Sequence, residues 1–195
     1  MWWRRRWRGI PWEPGLSGKA EDVGGLISLH TPRVSESIPL DLNLPLAVRK
    51  ARMSDVSEML GLINDYAAQA IMLPRTEFEM SENIRDFSVV TAGGRIAGCA
   101  ALHFYTPVSA EVRSLAVDPA WKTHGLGRKL VEELEREARE HGLTSLFAFT
   151  YVPGFFSKLG YTQVDRGELP LKAWKDCLRC PKFQCCDEIA MLKTL

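Results

Sequence analysis

The segment from Glu111 to Arg139, EVRSLAVDPAWKTHGLGRKLVEELEREAR, constrains this chain more than any other. Glu111–Val117 reads as a buried strand. Gly125–His141 reads as a strongly periodic helix with Leu126, Leu130, Leu134 and Ala138 on one stripe, and Gly142 supplies its stop. The short loop between them holds Gly125 and Gly127, and glycine lets a backbone approach a ligand closely. The free N–H groups of the helix's first turn carry the positive end of its dipole, which makes an anion site suited to a pyrophosphate. Arg128 and Lys129 in that turn oppose the dipole, so they serve helix stability poorly and favour an external phosphate. The loop is not a Walker A motif, because no Gly-Lys-Ser/Thr follows at the required spacing. It is not a dinucleotide fingerprint either, because Gly125-x-Gly127 lacks the third glycine.

The flanking sequence supplies the remaining layers. Leu46–Ala51 reads as a first strand, and Ser54 and Asp55 offer an N-cap for a helix carrying Val56, Met59, Leu60 and Ile63 on one face. Thr76–Phe87 reads as a second helical region, with Thr76 and Glu79 forming a capping box. Strands follow over Phe87–Ala92 and Arg95–Tyr105, joined by the Gly93-Gly94 pair of a tight hairpin. Beyond the long helix, Leu146–Thr150 reads as a strand, Pro153–Leu159 as a short helix and Tyr161–Val164 as a strand. The order β-α-α-β-β-β-α-β-α-β describes one mixed α/β layer structure without internal repeats.

A length of 195 residues allows one well-buried domain and a tail. Residues 1–44, rich in Pro, Gly, Ser and charge, are expected to be a disordered or loosely packed N-terminal tail, and 45–195 the domain. A net charge of +1 argues against a nucleic-acid partner, and no apolar run approaches the length of a membrane span. Five cysteines, an odd number mostly crowded toward one end, favour a reducing, cytoplasmic setting over a disulfide framework. The spacing Cys177-x2-Cys180-x4-Cys185-Cys186 would offer thiolates to Zn2+. A single C-x-x-C with so short a gap to the second pair is a weak zinc signature, so unligated thiols are expected there. Cys99, inside its strand, is expected in the core.

The block from Glu111 to Leu134 resembles motif A of the GNAT acetyltransferase superfamily. Lys122-Thr123-His124-Gly125-Leu126-Gly127 matches that family's pyrophosphate loop, Arg/Gln-x-x-Gly-x-Gly/Ala, with Lys122 in the first position. Phe155–Tyr161, FFSKLGY, resembles its second signature. Closer still is a resemblance to the catalytic domain of N-acetylglutamate synthases, in particular short forms without an amino-acid-kinase domain. It is carried by MLPRT, NIRDFSVV, GRIAGCAAL, EVRSLAVDP, LFAFTYVPGFFSKLGY and the C-terminal LPLKAWKDCLRCPKFQCCDEIAM.

The resemblance implies a GNAT fold, a mixed central sheet flanked by helices, with acetyl-CoA bound at the splay between the central strands. It implies acetyl transfer to the α-amino group of L-glutamate, the first step of arginine biosynthesis, and it is compatible with a homodimer. Backbone of Leu115, Ala116 and Val117 would hold the pantetheine arm, with an N–H near Leu115 as oxyanion donor. Thr123, His124, Gly125, Leu126, Gly127 and Arg128 would hold the pyrophosphate. The amine must lose a proton before it attacks, and Glu111 stands where the synthases carry their base. Tyr151 or Thr150 would protonate the leaving thiolate. Arg75, in LPR, matches the synthases' carboxylate-binding arginine, and Arg113 shares a face with Glu111 if the strand is regular; a bulge between them would break that parity. Longer synthases add a basic residue near the C-terminus, where this chain reads Phe183-Gln184-Cys185-Cys186. Acetylation of a different amine, and a non-catalytic acetyl-CoA-sensing or zinc-clamped module, are the alternative readings.

Overall fold

The computed structural model describes residues 44–169, 178, 180, 182 and 185–195. The expected tail therefore lies outside the described residues, apart from Leu44, which packs against the core.

Among the described residues the framework is one sheet in the order β1-β2-β3-β4-β5-β7-β6. Its strands are β1 (Leu46–Lys50), β2 (Phe87–Ala92), β3 (Arg95–Thr106), β4 (Ser109–Val117), β5 (Ser145–Thr150), β6 (Thr162–Gln163) and β7 (Ile189–Thr194). β1 to β4 pair antiparallel, β4 and β5 pair parallel, and β7 lies antiparallel between β5 and β6. The helices are α1 (Val56–Ala68), α2 (Glu77–Glu82), α3 (Leu126–Glu140) and α4 (Pro153–Ser157). Parallel neighbours need a crossover, and α3 is that crossover. This is the mixed central sheet with flanking helices that the resemblance implies.

Alternation along the strands sends apolar side chains to both faces. One core joins Leu102, Val112 and Leu146 of the sheet to Leu126, Leu130, Leu134 and Ala138 of α3, the stripe anticipated from the sequence. Fully burying each such leucine contributes about 1.5–3 kcal/mol. The other core joins Val89, Cys99 and Ala101 to Met59 and Ile63 of α1 and Met80 of α2. Cys99 is fully buried, which pushes its thiol up to about 12.

Several sequence expectations are corrected. Asp55 does not cap α1 as a side-chain acceptor; it reaches back to accept from the Arg52 N–H at 2.7 Å and closes a 3-10 turn over Met53–Asp55. Its carboxylate also takes both arms of the Arg49 guanidinium, at 2.6 and 3.0 Å. The second helix keeps its Thr76/Glu79 capping box but ends at Glu82, and a 3-10 turn leads into β2. α4 is shorter than expected, ending at Ser157. β4 begins two residues early, at Ser109, and β7 was not anticipated at all.

Candidate active site

β4 and β5 pair only over Ser109↔Ser145, Ala110↔Leu146 and Glu111↔Phe147. Past Glu111 the two strands part. β4 changes its own register at the same level: Ala101↔Arg113 is followed by Cys99↔Ala116, so β4 carries one residue more than β3 across that interval. The extra residue is taken up at Ser114, whose φ of 52° is left-handed. The bulge re-aims the strand just where it leaves β5, and it falls after Arg113. Glu111 and Arg113 therefore keep their shared face, opposite His103 and Ala101 of β3.

A cavity of about 510 Å³ opens at this splay. Glu111, Arg113, Ser114 and Leu115 line it from β4, and Thr150 and Tyr151 from the end of β5. Arg75 lines it from the loop before α2. That loop is pinned by Asn64 of α1, whose side chain accepts from the Arg75 N–H at 2.9 Å and donates to the Arg75 carbonyl at 3.0 Å. Asn64 was not anticipated, because its partner lies on another element. Glu111 is buried, so its carboxylate is presented to the cavity rather than to bulk water. The Thr150 hydroxyl accepts from the Val152 N–H at 3.0 Å.

The C-terminal segment also lines the cavity, through Cys180, Lys182, Cys186 and Glu188. None of these was assigned to a substrate site from sequence. Lys182 donates to the Tyr151 hydroxyl at 3.2 Å and sits 4.7 Å from the centre of its ring. Burial pushes the Glu188 carboxyl above its ordinary value. Arg166 anchors the segment by donating to the carbonyls of Cys186 and Glu188. Among the described residues no group of three or more His, Cys, Asp or Glu is placed to hold a metal, and Cys177 lies outside them. Cys180 and Cys186 line the cavity, and Cys185 is exposed.

The loop from Lys122 to Gly125 lies apart from this cavity lining, exposed at the start of α3. Thr123 and Gly125 are both left-handed, with φ of 69° and 80°. Buried Trp121 anchors the loop from below, and the Asp118 carboxylate accepts from the Ala120 N–H at 2.8 Å to cap the 3-10 turn before it. A β-carbon on Gly127 would meet the Phe155 ring at 3.4 Å, an ordinary van der Waals contact that places the first turn of α3 beside α4. Arg128 has a local partner in Glu132 at 3.6 Å, which offsets its opposition to the dipole. An exposed left-handed loop opening a 15-residue helix fits a pyrophosphate. In the strand, the Val117 carbonyl accepts from the Tyr66 hydroxyl at 2.6 Å, and Ala116 is buried.

Comparison with known proteins places this geometry. The model of the acetyltransferase (GNAT) family matches residues 56–161. An uncharacterized N-acetyltransferase of Chlorobaculum tepidum is 44% identical over 148 residues, covering 76% of this chain and 96% of the relative. An amino-acid acetyltransferase of Mycobacterium tuberculosis is 35% identical over 121 residues, covering 60% of this chain and 69% of that one. Among solved structures, N-acetylglutamate synthase of Neisseria gonorrhoeae, complexed with coenzyme A and N-acetyl-glutamate, superposes with a TM-score of 0.71 at 26% identity. That match covers 77% of this chain but only 35% of the synthase. A Mycobacterium tuberculosis protein crystallised with CoA gives 0.67 at 28% identity, covering 76% of this chain and 99% of that one.

Proposed function

The chain belongs to the acetyltransferase (GNAT) family, with acetyl-CoA as acyl donor, and on that premise we propose that it acetylates the α-amino group of L-glutamate. The observation that carries this reading is the convergence of Glu111, Arg75 and Arg113 on one cavity at the splay. A buried carboxylate suits removal of the ammonium proton, and two guanidiniums suit an acceptor bearing two carboxylates. Similarity to the M. tuberculosis amino-acid acetyltransferase supports a free amino acid as acceptor.

In this mechanism the Thr123–Arg128 loop holds the pyrophosphate, and the backbone of Leu115–Val117 guides the pantetheine arm into the splay. Arg75 and Arg113 orient the amino acid by its carboxylates. Glu111 takes the amine proton, and the bulged backbone at Leu115 stabilises the negative charge that develops on the carbonyl oxygen. Tyr151 rather than Thr150 delivers the proton to the departing sulfur. Both residues line the cavity and both hydroxyls keep a proton to give, but a phenol is a far stronger acid than an aliphatic hydroxyl.

Glu188 favours a second reading. A carboxyl lining the same cavity suits an acceptor whose side chain donates hydrogen bonds, such as an amide or amine, better than it suits a second carboxylate. One experiment addresses both. Purified protein with acetyl-CoA and a panel of amino acids is assayed for free thiol. Glutamate is expected to give the highest kcat/KM; preference for an amide- or amine-bearing side chain supports the second reading, and no thiol release from any amino acid defeats both.

A further inference from the structure

Lys182 has no role in the reaction as described so far, yet its ammonium is placed on the group assigned to protonate the leaving sulfur. We propose that Lys182 is a positioning residue for Tyr151, fixing its phenol oxygen as acceptor so that the O–H acts as donor, and restoring the proton after transfer. The proposal rests on the acetyl-transfer reading above and deepens it.

An ammonium has donors only, so in the 3.2 Å contact the phenol oxygen must be the acceptor. Accepting there leaves the O–H of Tyr151 as a donor, and the Asp187 carboxylate, which can only accept, takes it until the leaving sulfur competes for it. The same ammonium lies 4.7 Å from the ring centre, so it restrains the ring as well as the oxygen. Both residues line the cavity that holds Glu111, which puts acid and base around one space.

The other charged and titratable groups around the pair have definite positions. Asp187 lies 3.5 Å from the Lys182 ammonium and is the second partner of the phenol hydroxyl, but it is exposed and screened by water. Glu188, Cys180, Cys186, Glu111, Arg113 and Arg75 line the same cavity as Lys182. Burial raises the Tyr151 hydroxyl above its ordinary value, and hydrogen bonding to Lys182 acts against that rise. A phenol that keeps its proton at neutral pH, with a cation at its oxygen, can act as an acid without leaving an unstabilised phenolate.

The proton balance closes. The amine nitrogen bonds to the acetyl carbon, the C–S bond breaks, and its electron pair stays on sulfur. Tyr151 gives its proton to that sulfur, forming the free thiol. Lys182 passes a proton to the phenolate oxygen and is itself reprotonated from water, while the nitrogen loses two protons through Glu111 to water, one from the ammonium before attack and one from the adduct as the amide forms.

The test compares Lys182→Met, Lys182→Arg, Tyr151→Phe and the Lys182→Met/Tyr151→Phe double variant, using the best acceptor from the amino-acid panel. Lys182→Met is expected to lower kcat about tenfold while the acceptor KM stays within about twofold. It should cost nothing further on top of Tyr151→Phe, and Lys182→Arg should restore most of the rate. A second readout needs no turnover: near-ultraviolet titration, with the Tyr151→Phe protein subtracted, follows ionisation of the Tyr151 phenol alone. Removing the ammonium by Lys182→Met should move that ionisation to higher pH. The proposal is overturned if Lys182→Met raises only the acceptor KM, which would make Lys182 a substrate clamp. It is equally overturned if the two losses multiply, or if the Tyr151 titration does not move. If no amino acid turns over, the acetyl-transfer reading fails, while the titration still decides the Lys182–Tyr151 pairing.

Discussion

Glu111 and Arg113 stand on one face of β4 because the strand's bulge, centred on left-handed Ser114, falls just beyond them. Carboxylate and guanidinium are thereby directed into the same cavity, at the point where β4 leaves β5.

If Glu111 is the base, Glu111→Gln keeps its shape and removes its ability to take a proton. The expected loss is about 10²–10⁴-fold in kcat, with coenzyme A binding unchanged by calorimetry. An equal loss of coenzyme A affinity would point to a structural role instead.

Arg113 is expected to act through binding. Arg113→Met should raise the amino-acid KM about tenfold or more, with a smaller effect on kcat, since bidentate charged hydrogen bonds to a carboxylate contribute about 1.5–3 kcal/mol each way they are lost. Steady-state kinetics at saturating acetyl-CoA separate the two constants.

Gly125 has open space around its α-carbon but a φ of 80°. Gly125→Ala therefore introduces backbone strain without a clash, costing about 1–2 kcal/mol in denaturant unfolding. If this loop cradles the pyrophosphate as proposed, coenzyme A affinity should fall with it, because the loop can relieve the strain only by leaving that conformation.

Lys193 of β7 donates to both oxygens of buried Glu135 in α3 at 2.7 Å, and to the Leu159 carbonyl at 2.7 Å. Lys193→Met leaves that carboxylate with Arg139 at 3.6 Å and the Tyr161 hydroxyl, with an expected loss of about 1–3 kcal/mol in unfolding free energy. Adding Glu135→Leu should recover a good part of it, which a merely additive pair would not do.

Asp55 is held below the usual aspartate value, chiefly by its hydrogen bonds to Arg49. A lowered folded value contributes stability that is fully present above the unfolded value, about 3.9, and is lost as pH falls through the folded one. Acid unfolding followed by circular dichroism should show Asp55→Asn destabilised at neutral pH, with the difference from the parent shrinking as the pH drops below about 4.

The parts legible in the sequence are those whose causes are local. The α3 stripe is a helical period, and the Thr76/Glu79 capping box closes within one turn. The sequence also named Glu111, Arg113, Arg75, Thr150 and Tyr151, which the fold brings to one cavity, although their roles there remain proposals with the tests above. Asp55 misled because an Asp before a helical run is an ordinary cap; its preference for Arg49 depends on β1 lying alongside.

β7 and the C-terminal part of the cavity lining were not legible. Ile189–Thr194 becomes a strand by inserting between β5 and β6, and Lys182 gains meaning only beside Tyr151. The sequence by itself determined the glycine loop and the helix it opens, because backbone conformation and dipole are set by residues a turn apart. The tertiary structure alone decided where the β4 bulge falls, and which cations and carboxylates share a cavity with Glu111. Strand register and distant contacts exist only once the partners are in place.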